Sequence, residues 1–403
     1  MLKYRYICAV FIRDMRLTYS ILAYILTEIH VDIFLSRPRY ILRYLGIWPK
    51  ENHMIVHSIY KAFVMMTQYS FILFEFIYIA DVWGDLDEVS EASYLLFTQA
   101  SVCYKATVFM LSKGNLKELQ FFMGAETFKP QSNLHIKILE KQAQRIKKLC
   151  AVFLTSALTT CTLWAIMPLL DSAETRFFPF KIWMPLDPKS SLQYQLGYVY
   201  QMTSIYISAL LFFAVDSTTL SMIMFGCAQL EIIINKLEKL QNVSKTSKST
   251  ENQNKLNENN ALFIECVRQH QAVIKFIEML ENTYHANIFF QLSGTVGIIC
   301  IIGLRITITE PNSVQFYSML NYMVTMLSQL LLYCWCGNEL TSTSQDLRTH
   351  LYLCPWYEQD ASFRRSLVIA MERMKRPIIF KAGHYIPLSR PTFVSVRLYH
   401  SVK

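Results

Sequence analysis

Long stretches of the chain carry no charge. Leu149–Leu170, Leu196–Val215, Ala286–Leu304 and Val314–Asn338 contain no Asp, Glu, Lys or Arg, and Ser58–Ala80 and Ala92–Ser112 are as apolar apart from Lys61, Glu75 and Lys105. About twenty apolar residues at 1.5 Å per residue cross a hydrocarbon core about 30 Å thick, so the pattern predicts six membrane helices. Lys61 and Lys105 are read as snorkelling to the interface; Glu75, near mid-span, is a candidate functional group.

Between the spans the pattern becomes amphipathic. Past Asp216, Leu230, Ile233, Ile234, Leu237 and Leu240 keep helical spacing, and Phe263, Val267, His270, Ile274 and Ile277 lead into the fifth span in the same way. His270 lies on that apolar stripe, which favours a satisfied interior histidine over a ligand. Asn242–Asn260 is polar and low in complexity, and reads as a mobile loop. The first thirty residues break their apolar runs with Lys3, Arg5, Arg13 and Arg16, which fits an interfacial helix better than a signal peptide, an extension of unassigned role being the alternative. Phe363–Arg376 is a basic amphipathic helix ahead of a break at Pro377, so the predicted fold is all-α and polytopic, with a helical bundle below the membrane.

Composition agrees: 53% of residues are hydrophobic and 17% charged. Charge then sets orientation. Residues 1–57, 113–148, 231–285 and 339–389 hold thirty Lys and Arg, against four in 81–91, 171–195 and 305–313. Positive loops stay in the cytosol, which predicts a cytoplasmic N-terminus and places the acidic run DVWGDLDEVSE outside. That topology argues against a G-protein-coupled receptor. The ten cysteines avoid the three outer loops and form no CxxC pair, so they read as packing groups. The one glycosylation motif, at Asn242, falls on the predicted inner side. No catalytic or metal-binding motif appears and no nucleic-acid partner is expected; a non-enzyme without a cofactor is the reading.

A polar and aromatic seam runs through the outer halves of the spans: Tyr94, Phe97 and Ser101; Thr160 and Trp164; Tyr198, Met202 and Tyr206; Tyr317, Leu320 and Asn321. Such a lining suits a small volatile or lipophilic ligand, although ordinary helix packing uses the same residues. The loop 171–195, with Pro179, Pro185 and Pro188 among Phe177, Phe178, Phe180, Trp183 and Met184, could cap such a cavity or pack on the helix ends.

The C-terminal third carries a further signal. Gly337-Asn338-Glu339, Trp356-Tyr357, Arg365 with Leu367, Arg373, Arg376-Pro377, Ala382-Gly383, Leu388-Ser389 and Phe393, together with Tyr40–Pro49 near the other end, resemble the signature of insect odorant receptors. The resemblance implies seven transmembrane helices and a ligand-gated, non-selective cation channel working as a heterotetramer with a shared co-receptor in the cell membrane of a sensory neuron. It also implies an anchor that includes Trp356, Tyr357, Arg373, Arg376, Pro377 and Gly383. The division that follows is a cytoplasmic segment (1–57), a six-helix scaffold with the pocket (58–338), an anchor (339–389) and a pore-lining last helix (390–403), whose candidate pore residues are Thr392, Phe393, Ser395, Val396 and Arg397. That helix is short against the family pattern, and Arg397 would place positive charge in a cation pore. A non-conducting subunit and a taste-type receptor of the same superfamily are the alternatives. Thr343 and Lys375 stand where the family tends to have Glu and Gln.

Overall fold

The computed structural model describes residues 31–48, 55–170, 178–186, 190–240, 249–309, 311 and 313–391. The proposed interfacial helix over the first thirty residues and the candidate pore residues Thr392, Phe393, Ser395, Val396 and Arg397 lie outside these, as does Asn242. The described chain is nearly all helical. Helix α1 (31–44) precedes α2 (Ile55–Asp81), α3 (Leu86–Leu111), α4 (Lys113–Met123), α5 (Asn133–Leu170), α6 (Ser191–Glu238), α7 (Ser249–Ile308), α8 (Val314–Leu353) and α9 (Ala361–Arg373). A two-stranded hairpin, β1 (Lys381–Ala382) and β2 (Ile386–Pro387), follows.

All six charge-free or charge-poor stretches fall inside α2, α3, α5, α6, α7 and α8, except that Ser112 lies one residue past the end of α3. Among the described residues, five helices are long and apolar enough to cross a membrane by themselves. α3 becomes the sixth when α4, bent from it by 68°, is counted with it. Loops rich in Lys and Arg gather at one end of the bundle, here called the basic end; the run from Asp81 to Glu91 marks the acidic end.

Helix α6 is the central mast. Every residue from Leu211 to Leu230 is buried, because α3, α5, α7 and α8 all pack against it. A helix surrounded on all sides shows no polar face, which explains why its apolar run passes through Asp216 without a change of period.

Four helices run past their apolar segments at the basic end. Those of α6 and α7 follow the amphipathic spacing of the sequence, and that of α8 buries Leu340, Leu347 and Leu351. The fourth, the first half of α5, is not anticipated in the sequence, although Leu139, Ala143, Ile146 and Cys150, all buried, keep its helical spacing. The Asn242–Asn260 stretch also differs from expectation, since α7 starts at Ser249. Gln, Lys and Glu tolerate a helix well, and a side-chain hydrogen bond of 3.1 Å from Asn259 to Gln359 docks this polar turn beside α9.

The hairpin closes the basic end. Gly383 and His384 both have positive φ, 60° and 64°, as a tight hairpin turn demands. The Gly383 N–H donates to the His285 carbonyl of α7 at 3.0 Å. Leu388 then lies against α8 so closely that a Cβ at Gly337 would sit 2.5 Å from its carbonyl oxygen. The glycine of the Gly337-Asn338-Glu339 block is there for this approach.

His270 is buried on α7, well outside the apolar segment that begins at Ala286. Burial and the nearby Arg373 of α9 push its imidazole down to about 4, from an ordinary value of 6.5. The unfolded chain therefore takes up the proton first as pH falls, so stability is intact above about 6.5 and declines from there down to about 4. Thermal melts of the purified protein and of a His270→Gln variant between pH 7.5 and 4 should diverge by a difference on the order of 3 kcal/mol, the wild type carrying the steeper loss.

A candidate ligand cavity in the helix bundle

In the half of the bundle nearer the acidic end, α3, α5, α6 and α8 stand slightly apart and leave a cavity. About 50 Å³ in it can hold the centre of a water molecule. Leu95, Thr98, Gln99 and Val102 come from α3, and Ala157, Thr160, Cys161 and Trp164 from α5. Ile205, Ser208, Ala209 and Phe212 come from α6, and Tyr322, Thr325 and Met326 from α8. The wall is almost wholly apolar and aromatic, as in small-molecule sites. Trp164 forms one side, its ring 5.1 Å from Tyr322 and 5.2 Å, edge-on, from Phe180.

Phe180 belongs to the loop after α5. Its N–H donates to the Gln201 Oε1 at 2.9 Å while Gln201 Nε2 donates back to its carbonyl at 3.2 Å, so one buried amide pins the loop. Lys181 bridges Glu88 at 2.8 Å and Glu91 at 3.0 Å, and Arg305 reaches Glu91 at 3.1 Å. The aromatic loop thus packs down on the ends of α2 and α6, with Phe180 and Ile182 buried, and it meets the cavity wall only through the contact of Phe180 with Trp164.

Below the cavity lies a buried ion pair. Lys105 of α3 donates to Asp216 Oδ1 at 2.6 Å, with both side chains almost fully excluded from solvent. Tyr333 donates to the same carboxylate at 2.8 Å, and Gln329 of α8 donates to its other oxygen. Gln291 of α7 passes the chain on, donating to Gln329 at 2.7 Å and accepting from Ser101 at 2.5 Å. Four helices meet at this point. Lys105 therefore does not snorkel, contrary to expectation: α6 and α8 wall it off from water, and a carboxylate in reach holds it inside. Its ammonium also sits 4.0 Å over the face of Phe212, a cavity residue. Glu75 is buried as well, and neither carboxylate oxygen has a hydrogen-bond partner among the described residues.

A family model described as "7tm Odorant receptor" matches residues 85–397, most of the chain. The chain belongs to the insect odorant receptor family. Similar proteins include odorant receptor Or1 of Anopheles gambiae, 21% identical, with 88% of this chain and 90% of that one aligned. Odorant receptor 46a, isoform A, of Drosophila melanogaster is 25% identical over 85% and 89%. The fold is that of the olfactory receptor OR5 from Machilis hrabei, with a TM-score of 0.77 at 14% identity over 92% of this chain and 96% of that one; the same protein in complex with eugenol gives 0.74. This odorant receptor is accordingly a multi-pass membrane protein, a receptor rather than an enzyme.

The receptor brings some seam residues to the cavity and leaves others out. Thr160 and Trp164 line it. Asn321 stands just behind, donating to Thr160 Oγ1 at 2.8 Å, and Tyr94 packs on Tyr322 at 5.8 Å. Met202 is buried nearby; Tyr198 donates to the Ala165 carbonyl at 2.7 Å and Tyr206 pairs with Thr162 at 3.3 Å, both tying α6 to α5. Ser101 serves the polar chain to Gln291. Phe97, Tyr317 and Leu320 are 48%, 51% and 37% exposed and face away from the cavity. Gln99, Ser208, Phe212, Tyr322 and Thr325 are cavity residues that the spacing argument missed.

Proposed function

We propose that this receptor is the odorant-sensing subunit of a non-selective cation channel assembled as a heterotetramer with the shared co-receptor, and that the odorant binds in the cavity bounded by Trp164, Phe212 and Tyr322. The cavity itself carries the reading: it is apolar, its Trp164 wall is backed by Phe180, and it borders the Lys105–Asp216 pair through Phe212. The eugenol complex of a receptor with the same fold supports it. An odorant opens such a channel only by binding the open arrangement better than the closed one. At the basic end, Tyr357, Arg373 and Arg376 are exposed and Trp356 is 36% exposed; with Pro377 and Gly383 shaping the segment that follows, we assign this surface to contacts between subunits.

Recording from cells that express the receptor with the co-receptor, against a broad odour panel, tests the proposal. Currents that need both the receptor and one or a few odorants are expected. Silence across the panel, with both subunits demonstrably at the cell surface, would overturn it.

A further inference from the structure

The hairpin tip is seated on α7 around three ionisable side chains. Glu281 and His285 stand one turn apart on α7, and His384 meets them from the turn between β1 and β2. The ring centroids of His285 and His384 are 3.8 Å apart, with the planes inclined by 31°. His384 Nδ1 lies 3.3 Å from Glu281 Oε1, and the Lys381 N–H donates to Glu281 Oε2, also at 3.3 Å. Gly383 fits so tightly beside them that a Cβ there would stand 2.8 Å from the Phe289 ring. The two imidazoles cannot move apart while the tip stays docked.

We propose that His285 and His384 form an acid-sensitive latch, which docks the hairpin on α7 at neutral pH and releases it when both rings carry a proton. One proton on the pair is balanced by Glu281; a second sets like charges face to face. The titratable groups that face His285 are Glu281 on its own helix and His384 on the hairpin, with Lys381 reaching Glu281 through its backbone. His285 stands one residue outside the apolar segment that begins at Ala286. Burial and the facing His384 outweigh Glu281 and hold its imidazole below the ordinary value of 6.5. The released hairpin therefore takes up the proton more readily than the docked one, so docking is intact above about 6.5 and weakens as pH falls. The segment that follows runs to Leu388 against Gly337 of α8, so release of the hairpin loosens a support of that helix.

The test is hydrogen exchange of the full-length receptor in lipid nanodiscs, corrected at each pH for intrinsic rates and read in peptides covering residues 378–388. Exchange in the buried run Leu211–Leu230 of α6 is the internal reference, which accounts for the general acid loss at His270. Between pH 7.5 and 5, protection of the hairpin relative to that reference should fall on the order of tenfold, as for a one-unit shift at a single histidine. His384→Asn keeps a residue type that tolerates positive φ, and His285→Gln keeps a helix former. Each should leave the hairpin protected and its protection nearly independent of pH; if His384→Asn undocks the hairpin outright, His285→Gln decides. Relative protection in the wild type that does not change with pH would overturn the proposal. So would a fall that persists undiminished in both variants, which would belong to other groups. Loss of protection at pH 7.5 in both variants would show that the rings hold the hairpin by packing alone, and would overturn it as well.

Discussion

Replacing Lys105 with methionine should cost the receptor about 3–5 kcal/mol, the usual penalty for stranding one member of a buried ion pair. Asp216 would keep its hydrogen bonds from Tyr333 and Gln329, but a carboxylate sealed among four helices without its counter-ion is still far costlier than a hydrated one. The expected result is loss of folded receptor from the cell surface and a melting temperature well below that of the wild type. The mirror change, Asp216→Leu, should do comparable damage by leaving the ammonium over Phe212 without its carboxylate. The double variant, Lys105→Met with Asp216→Leu, separates this account from simple loss of packing: with neither charge left to compensate, it should recover most of the lost stability. A double variant as unstable as the sum of the two single ones would show that the pair contributes no mutual stabilisation.

Trp164→Ala should be nearly as damaging and should change what the receptor detects. Removing a buried tryptophan that touches Phe180 and Tyr322 leaves a void, and such truncations cost about 3–5 kcal/mol. Unlike a void in a sealed core, this one adjoins the cavity, so a larger ligand can occupy it and restore part of the loss. Responses should therefore shift toward bulkier odorants in co-expressing cells, with small ones losing potency. Unchanged size preference in a variant that still reaches the surface would mean that Trp164 does not bound the ligand.

The spans were legible because the membrane demands roughly twenty residues with little or no charge, and four stretches meet that demand outright while two more carry only Lys61, Glu75 and Lys105. Where each span faces was less legible. On α3 the seam through Tyr94, Phe97 and Ser101 misses the cavity face, which is centred on Leu95, Thr98, Gln99 and Val102, by about a third of a turn at 100° per residue. On α8, Tyr317, Leu320 and Asn321 miss the face of Tyr322, Thr325 and Met326 by a similar angle. Aromatic residues mark both lipid-facing and pocket-facing sides, so spacing alone fixes a stripe without saying which neighbour it meets. Thr160 and Trp164 of α5 were found because both marks coincide there. Lys105 was misread for a related reason: its partner is 111 residues away, and Asp216 stands one position past the apolar run that ends at Val215, so it looked like a boundary.

Helix α8 touches three things in succession: the cavity through Tyr322, the ion pair through Gln329 and Tyr333, and the Leu388 backbone at Gly337. Tyr322 and Gly337 are about 22 Å apart along one helix, with no proline between them to act as a joint. One unbroken helix therefore joins the cavity wall to the chain leaving the hairpin, and the contact at Gly337 is so close that a tilt of α8 at the cavity would press directly on the Leu388 backbone.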